Sequence, residues 1–329
     1  MSREQDGVAL GVRLRARELS AAPAALNLLE STAPGEREQA RALLREVSPG
    51  ALGGEAPAHV IGVTGPPGAG KSTLLSALLR VWRGGDGGDG GAHAAQRSVA
   101  VLAVDPSSRR SGGSLLGDRA RIDFDPTDRG VLIRSTAAGT RLGGLAHSTR
   151  GAVDALAAAF DVVVIETVGV GQAETDVADI ADTVVVVVQP GGGDVLQFLK
   201  SGIMETPDVL VVTKSDLGQI ALRARRDLSA ALRSLGSKDT RVLAVSALSP
   251  PSGIDELAAA LEEHRARLDL PARRLAARRA AALADFTVEY GDSGLRALGG
   301  RRAAQALLAD QDPAMDVATL VGALERSAG

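Results

Sequence analysis

Short runs of β-branched and apolar residues alternate with helix-like segments through the middle of the chain. Within these runs consecutive positions are apolar, which is typical of strands buried on both faces of a parallel sheet. Between them, apolar residues recur at the three- to four-residue spacing of a helix face. The predicted strands are 59–63, 98–104, 130–134, 161–166, 182–189, 208–213 and 240–246. This order predicts an α/β fold in which helices cover both faces of a mostly parallel sheet.

The two ends of the chain have a helical pattern. Residues 15–48 carry Leu, Ala and charged residues at helical spacing, and prolines divide the segment. This pattern predicts two short helices. After Gly253 the pattern is helical to the last residue. We therefore expect an N-terminal helical extension at 1–56, a central domain at 57–268 and a C-terminal helical segment at 269–329. The last segment packs either against its own domain or against a second copy of the chain.

Composition and charge argue against several classes of protein. The 329 residues carry a formal net charge of −3, which leaves no electrostatic footprint for nucleic acid or an anionic membrane. There is no cysteine, and the four histidines do not have the spacing of metal ligands. The N-terminus lacks a signal-peptide core, and no apolar run has the length of a membrane span. We therefore expect a cytoplasmic protein.

A glycine-rich stretch, RGGDGGDGGAHAAQ (83–96), interrupts the α/β pattern and is predicted to be a mobile loop. Its two aspartates, Asp86 and Asp89, faintly resemble calcium-binding glycine repeats. A single copy without the apolar residue of such repeats favours a solvated linker.

The stretch GVTGPPGAGKST follows the first predicted strand and precedes a helical pattern. It satisfies the phosphate-loop pattern GxxxxGK[ST] from Gly65 to Ser72. In that pattern backbone N–H groups converge on a phosphate at a helix N-terminus, Lys71 bridges the β and γ oxygens, and the Ser72 hydroxyl takes a Mg²⁺ position. The sequence thus predicts a P-loop NTPase sheet. Its predicted phosphate-binding residues are Gly65, Pro66, Pro67, Gly68, Ala69, Gly70, Lys71, Ser72 and Thr73.

Acidic residues at strand ends predict the metal shell. Asp105 follows a predicted strand and would lie beside the phosphates, within reach of Mg²⁺. Glu166 ends another strand, and the amide of Gly169 can meet the γ-phosphate, so this pair would distinguish triphosphate from diphosphate. Asp118 follows a Gly-Gly-Ser loop and is either a further ligand or a helix N-cap. The predicted metal ligands are Ser72, Asp105, Asp118 and Glu166, and the predicted catalytic residues are Lys71, Asp105, Glu166 and Gly169.

The stretch LVVTKSDLG (210–218) resembles the guanine-reading strand end of a GTPase, with Thr213 where such enzymes usually carry Asn. Asp216 would accept hydrogen bonds from guanine N1–H and N2–H, which adenine cannot match. Lys214 would pack its stem on the base, and the Thr213 hydroxyl can tie this loop to the phosphate loop. The later stretch VSALSPPSG supplies a backbone N–H for guanine O6. The predicted base-binding residues are Thr213, Lys214, Asp216, Ser246, Ala247 and Leu248.

Two segments, 135–146 and 190–200, have the composition of nucleotide-sensing loops. In the second, Asp194 and Lys200 would lie on different faces of a helix, one facing the nucleotide and the other a partner. An N-cap role for Asp194 and a solvated Lys200 fit equally well. No water-orienting Gln or arginine finger is assured, so we predict a GTPase that is slow alone and accelerated by a partner.

Five stretches together resemble the MeaB/ArgK family of GTPases, over roughly residues 15–270. They are GVTGPPGAGKST, AVDPSSRRSGGSLLGDRARI, ETVGVGQAETDVAD, PGGGDVLQFLKSGI and VVTKSDL. The resemblance implies a homodimer that binds GTP or GDP with Mg²⁺ and dimerises through its C-terminal helices. It also implies a chaperone for an adenosylcobalamin-dependent acyl-CoA mutase, usually methylmalonyl-CoA mutase, which gates cofactor loading and protects the mutase. Cobalamin itself is expected on the mutase and not on this chain.

Three other functions compete with this one. A metal-insertion GTPase would share the phosphate loop but needs His or Cys ligands, which the pattern lacks. A P-loop kinase or transport ATPase of the old ArgK type would use adenine and would not need Asp216. The third alternative is a nucleotide-dependent interaction module that slow hydrolysis only resets. It is partly contained in the chaperone function and differs from it mainly in emphasis.

Overall fold

The computed structural model places a parallel sheet at the centre of the fold. It describes residues 3–31, 33, 35–84, 96–105, 122–137, 147–167, 177–191, 207–237 and 239–329. The strands are β1 His59–Thr64, β2 Val99–Asp105, β3 Val131–Ala137, β4 Val162–Thr167, β5 Thr183–Val188, β6 Val209–Val212 and β7 Arg241–Ala244. All seven are parallel, in the order β3-β2-β4-β1-β5-β6-β7. Each strand overlaps one of the seven predicted runs, so the predicted parallel α/β sheet is confirmed.

The described part of the chain contains eleven α-helices. They are α1 Arg3–Arg15, α2 Ala22–Glu30, α3 Arg37–Glu46, α4 Pro49–Leu52, α5 Lys71–Trp82, α6 His147–Ala159, α7 Gln219–Ser234, α8 Ile254–Arg267, α9 Leu270–Ala297, α10 Arg301–Ala309 and α11 Val317–Ala328. Four of them precede the sheet: α2 and α3 are the two helices predicted within 15–48, whereas α1 and α4 were not predicted. None of the helices in these ranges is long and apolar enough to cross a membrane.

Helix α1, which the sequence pattern did not indicate, packs closely on α3 through two glycines. A Cβ atom on Gly7 would lie 2.1 Å from the carbonyl oxygen of Gln39, and one on Gly11 would lie 2.5 Å from Cβ of Glu46. Glycine lowers intrinsic helix propensity, which hides this helix from a pattern-based prediction. Here the missing side chains allow the two helix backbones to approach each other.

The valine run of β5 shows how the sheet is buried on both faces. Successive side chains of a strand point to opposite faces. Val185 and Val187 join a core formed with α5 and α8, whereas Val186 and Val188 join a core formed with α7. An apolar run without alternation therefore belongs to a strand covered on both sides, as predicted.

The glycine-rich insertion starts and ends at points that are held together. The N–H of Arg97 donates to the carbonyl of Trp82 at 2.8 Å. Arg83 donates to the carbonyl of Arg97 at 2.8 Å and to both carboxylate oxygens of Asp128 at 2.6 and 2.7 Å. Helix α5 and strand β2 are thus joined directly at the base of the insertion. Residues 85–95, predicted to be mobile, lie outside the described residues.

The chain divides into two compact units. One contains the sheet and comprises 59–149 and 160–268, and the other comprises 1–58, 150–159 and 269–329. In the second unit the N–H of Gly50 donates to the carbonyl of Ala314 at 3.1 Å. Arg278 pairs with Glu55 at 2.8 Å, and both side chains are largely buried. The helices predicted as separate N-terminal and C-terminal extensions therefore belong to the same unit.

Candidate nucleotide-binding site

The phosphate-loop sequence forms the connection from β1 to α5. Strand β1 ends at Thr64 and α5 begins at Lys71, which puts the loop at the carboxyl edge of the sheet, where open α/β sheets bind their ligands. Gly65 has φ of 141° and Gly70 has φ of 91°. A Cβ atom on Gly65 would lie 2.0 Å from the carbonyl oxygen of Val187. The pattern needs glycine at these positions because a side chain would either be strained or collide.

Lys71 is held inside the loop that it follows. Its side chain is buried at 7 % exposure. The ammonium donates to the carbonyl of Gly65 at 2.7 Å and to that of Pro66 at 3.2 Å. The positive charge therefore lies at the N-terminus of α5, where unpaired backbone N–H groups also favour an anion. This arrangement is suited to binding the phosphates of a nucleotide.

Two of the predicted metal ligands meet beside the loop. The Ser72 hydroxyl donates to Oε1 of Glu166 at 3.0 Å. Glu166 is 6 % exposed and lies opposite Val63 in the register of β4 and β1. The carboxylate reaches the first turn of α5 because β1 and β4 are neighbours in the sheet. The spacing of residues in the sequence could not predict this hydrogen bond, because it joins residues 94 positions apart.

The donor set fits Mg²⁺ bound together with a nucleotide. A hydroxyl and a carboxylate are hard oxygen ligands, and Mg²⁺ commonly keeps waters and phosphate oxygens as its remaining ligands. Within the described ranges, no group of three His, Cys, Asp or Glu side chains could hold a metal alone. Asp105 ends β2 at the same edge of the sheet, but its side chain is outside the described part. Its proposed role at the metal stays a prediction.

Thr213 joins the predicted base-reading loop to the phosphate loop. Its hydroxyl lies 2.7 Å from the carbonyl of Ala69 and 3.1 Å from that of Val188, and it donates to them. Its methyl group also faces Gly70, since a Cβ atom there would lie 3.7 Å from it. This is the link that the sequence predicted for threonine in place of asparagine.

Asp216 is oriented by a serine from a different loop. The Ser246 hydroxyl donates to Oδ1 of Asp216 at 2.7 Å and accepts the N–H of Leu248 at 3.3 Å. Asp216 itself is exposed, so its carboxylate is open to a ligand. Within the stretch predicted to supply a backbone N–H for guanine O6, the N–H of Leu248 is hydrogen-bonded to Ser246, and the predicted donor stays a prediction. The hydroxyl of Ser246 was missed, because only its backbone was considered.

Lys214 has a left-handed backbone and an exposed side chain. Its φ is 54°, and its ammonium donates to Oε1 of Gln189 at 2.6 Å. A left-handed conformation is unusual for a residue with a side chain and is concentrated at functional sites. The other predicted site residues lie outside the described ranges: Asp118, Gly169, Asp194 and Lys200.

The hydroxyl of Thr213 gives the first testable prediction. Thr213→Val should weaken GDP binding about five- to thirtyfold, because losing the bond to the buried carbonyl of Ala69 costs about 1 to 2 kcal/mol. Thr213→Ser keeps the hydroxyl and should bind within about threefold of the unaltered protein. Titration with a fluorescent GDP analogue measures both. Equal affinity of the two variants would show that the hydroxyl does not support the site.

Several known proteins resemble this chain in sequence or in fold. Residues 22–292 match a family model described as methylmalonyl Co-A mutase-associated GTPase MeaB. The chain is 42 % identical over 270 residues to a probable GTPase of Mycobacterium tuberculosis, covering 79 % of this chain and 74 % of the relative. It is 38 % identical over 271 residues to the mitochondrial methylmalonic aciduria type A homolog of Mus musculus, covering 78 % and 62 %. A crystal structure of a LAO/AO transport system kinase aligns with a TM-score of 0.63 at 28 % identity, covering 98 % of this chain and 96 % of that one.

Proposed function

Because the chain belongs to the MeaB family of GTPases, we propose that its GTP hydrolysis serves an adenosylcobalamin-dependent acyl-CoA mutase, with methylmalonyl-CoA mutase as the first candidate. The protein would gate loading of the mutase with its cofactor and protect it during turnover. One observation carries this proposal: the family match spans 22–292, and the name of that family includes association with methylmalonyl-CoA mutase. A mouse relative named for methylmalonic aciduria supports the same class of client.

The residues of the phosphate loop supply the chemistry of hydrolysis in this proposal. Water attacks the γ-phosphorus, and the bond from that phosphorus to the β–γ bridging oxygen breaks. Lys71 and the N-terminus of α5 would stabilise the negative charge that develops on the phosphate oxygens. Ser72 and Glu166 would hold Mg²⁺, which when bound neutralises phosphate charge and orients the phosphates. Asp105 and Gly169 would complete the part of the nucleotide-binding site that surrounds the γ-phosphate.

Selection of guanine would rest on Asp216. Its Oδ1 already accepts from Ser246 at 2.7 Å, which fixes the orientation of the carboxylate before a base binds. A preoriented carboxylate loses less conformational entropy on binding and so discriminates better between bases. This argues against an adenine-using kinase, the alternative raised by the similarity to a transport system kinase. Equal binding of ATP and GTP would favour that alternative.

A rate assay with a client tests the proposal. Basal GTP hydrolysis should be slow, and a cobalamin-dependent acyl-CoA mutase should raise kcat at least about tenfold by ordering the nucleotide-sensing loops. Asp194→Ala and Lys200→Ala should reduce this stimulated rate more than the basal rate. Arg226→Ala, at an exposed position of α7, is the matched control and should change neither rate.

The possible outcomes test the chaperone role and the GTPase activity separately. If no such mutase stimulates hydrolysis or co-purifies with the protein, the chaperone role is wrong while the GTPase assignment stands. If Asp194 and Lys200 variants lose basal and stimulated rates equally, these residues serve the nucleotide site and not the partner.

A further inference from the structure

The ammonium of Lys214 is held by Gln189, a residue for which the sequence predicted no functional role. Its Nζ donates to Oε1 of Gln189 at 2.6 Å. Gln189 directly follows β5, and Lys214 follows β6 by two positions. The last residues of these two neighbouring strands, Val188 and Val212, are opposite each other in the register. The two side chains therefore meet at the carboxyl edge of the sheet, where the base-reading loop begins.

The backbone on both sides of Lys214 is fixed by neighbouring strands. The carbonyl of Val188 accepts the N–H of Thr213 at 2.8 Å and its hydroxyl at 3.1 Å. On the other side the N–H of Ser215 donates to the carbonyl of Val245 at 3.0 Å. Lys214 lies between these contacts in a left-handed conformation with φ of 54°. Its side chain therefore starts from a fixed point.

The bond to Gln189 fixes the other end of the same side chain. Lys214 is exposed, and a lysine that is free in solvent loses much rotamer entropy when a ligand orders it. An acceptor that holds the ammonium before the ligand arrives reduces that loss. The four-carbon stem between the two fixed ends is an apolar surface on which a flat base can pack.

We infer that Gln189 is a positioning residue for the nucleotide base, because its amide oxygen holds the stem of Lys214 over the plane of the base. The inference rests on the proposed binding of guanine by this loop. Packing on the face of a base does not depend on the groups at its edge, whereas the carboxylate of Asp216 reads that edge. Gln189 therefore supports the affinity for the nucleotide, and Asp216 supports the choice of guanine.

Titrations with GDP and with inorganic pyrophosphate, both with Mg²⁺, test this inference. Gln189→Leu should weaken GDP binding about three- to tenfold but leave pyrophosphate binding within about twofold, because pyrophosphate has no base. Gln189→Glu keeps an acceptor oxygen and should bind GDP within about threefold of the unaltered protein. Gln305→Leu, the same change at an exposed position of α10, is the matched control and should alter neither affinity.

A double-mutant cycle tests whether Gln189 acts through Lys214. Lys214→Met keeps an unbranched apolar stem but removes the ammonium, so it should weaken GDP binding about as much as Gln189→Leu does. The double variant should then bind GDP no more weakly than either single variant, since both changes break the same bond. In the background of Asp216→Asn, Gln189→Leu should weaken xanthosine diphosphate by the same factor as it weakens GDP in the unaltered protein.

Three results would overturn the inference: unchanged GDP binding in Gln189→Leu, an equal loss of GDP and pyrophosphate, or losses that multiply in the double variant. If Lys214→Ala weakens GDP binding while Gln189→Leu does not, only the role of Gln189 is wrong. If Lys214→Ala itself binds GDP normally, the predicted contact of Lys214 with the base is wrong and the role of Gln189 falls with it. GTP hydrolysis and its stimulation by a mutase are measured separately and test the proposed function.

Discussion

Replacing Lys71 by alanine should lower kcat/KM for GTP by at least about 1000-fold, the largest effect of any substitution considered. The ammonium is a buried positive charge at the N-terminus of α5, where the phosphates are expected to bind, and its burial means that water cannot substitute for it. Lys71→Arg should not restore activity, because the broader guanidinium cannot occupy the space between the carbonyls of Gly65 and Pro66. Single-turnover hydrolysis measures both variants.

A control is needed because Lys71 also bonds to its own loop. Loss of these two bonds should reduce the free energy of unfolding by about 1 to 3 kcal/mol in the absence of nucleotide. Lys214→Ala removes a second lysine of the same site whose ammonium is exposed, and it should lower activity far less. Hydrolysis by Lys71→Ala within about tenfold of the normal rate would contradict the assigned role.

Asp216→Asn should weaken GTP binding by about 2 to 4 kcal/mol, or roughly 30- to 1000-fold. The amide of asparagine cannot accept both N1–H and N2–H of guanine through the paired oxygens of a carboxylate. The variant should instead gain affinity for xanthosine triphosphate, since xanthine presents a carbonyl where guanine has its N2 amine. Competition between GTP, ATP and xanthosine triphosphate measures the change.

Ser246→Ala is the matched control for this base switch. It keeps the carboxylate of Asp216 but removes the hydroxyl that orients it at 2.7 Å, so GTP binding should weaken only about tenfold. It should not gain xanthosine triphosphate. Unchanged GTP affinity in Asp216→Asn would show that another group reads the base.

Most of the fold and the phosphate loop could be predicted from local sequence patterns. The strands could be predicted because β-branched residues at consecutive positions are typical only of strands buried on both faces, as in β5. The loop from Gly65 to Lys71 could be predicted because its residues form a local pattern specific to phosphate binding, although the structural reason for glycine at position 65 includes the distant Val187. Helix α1 could not, since its glycines are explained only by the approach of α3.

Most contacts between distant segments could not be predicted from the sequence, and the bond from Thr213 to Ala69 is an exception. Ser246 and Asp216 are 30 positions apart, and their bond depends on β6 and β7 being neighbours. His59, Thr183 and His264 are separated by 124 and 81 positions and carry no ligand spacing, so the histidines were interpreted as scattered. The strand order brings them together at one edge, and a single sequence does not state strand order.

Helices from both ends of the chain form one unit, and this has a consequence for protein synthesis. The segment 1–58 leaves the ribosome roughly 200 residues before 269–329, with which it shares that unit. At elongation rates of about 5 to 20 residues per second, the first helices wait roughly 10 to 40 seconds for their final neighbours. During this interval α1 and α3 can already pack on each other, whereas Gly50 and Glu55 still lack their partners Ala314 and Arg278. A chain that stops before residue 269 is therefore expected to leave this unit incomplete, although all seven strands of the sheet have been synthesised.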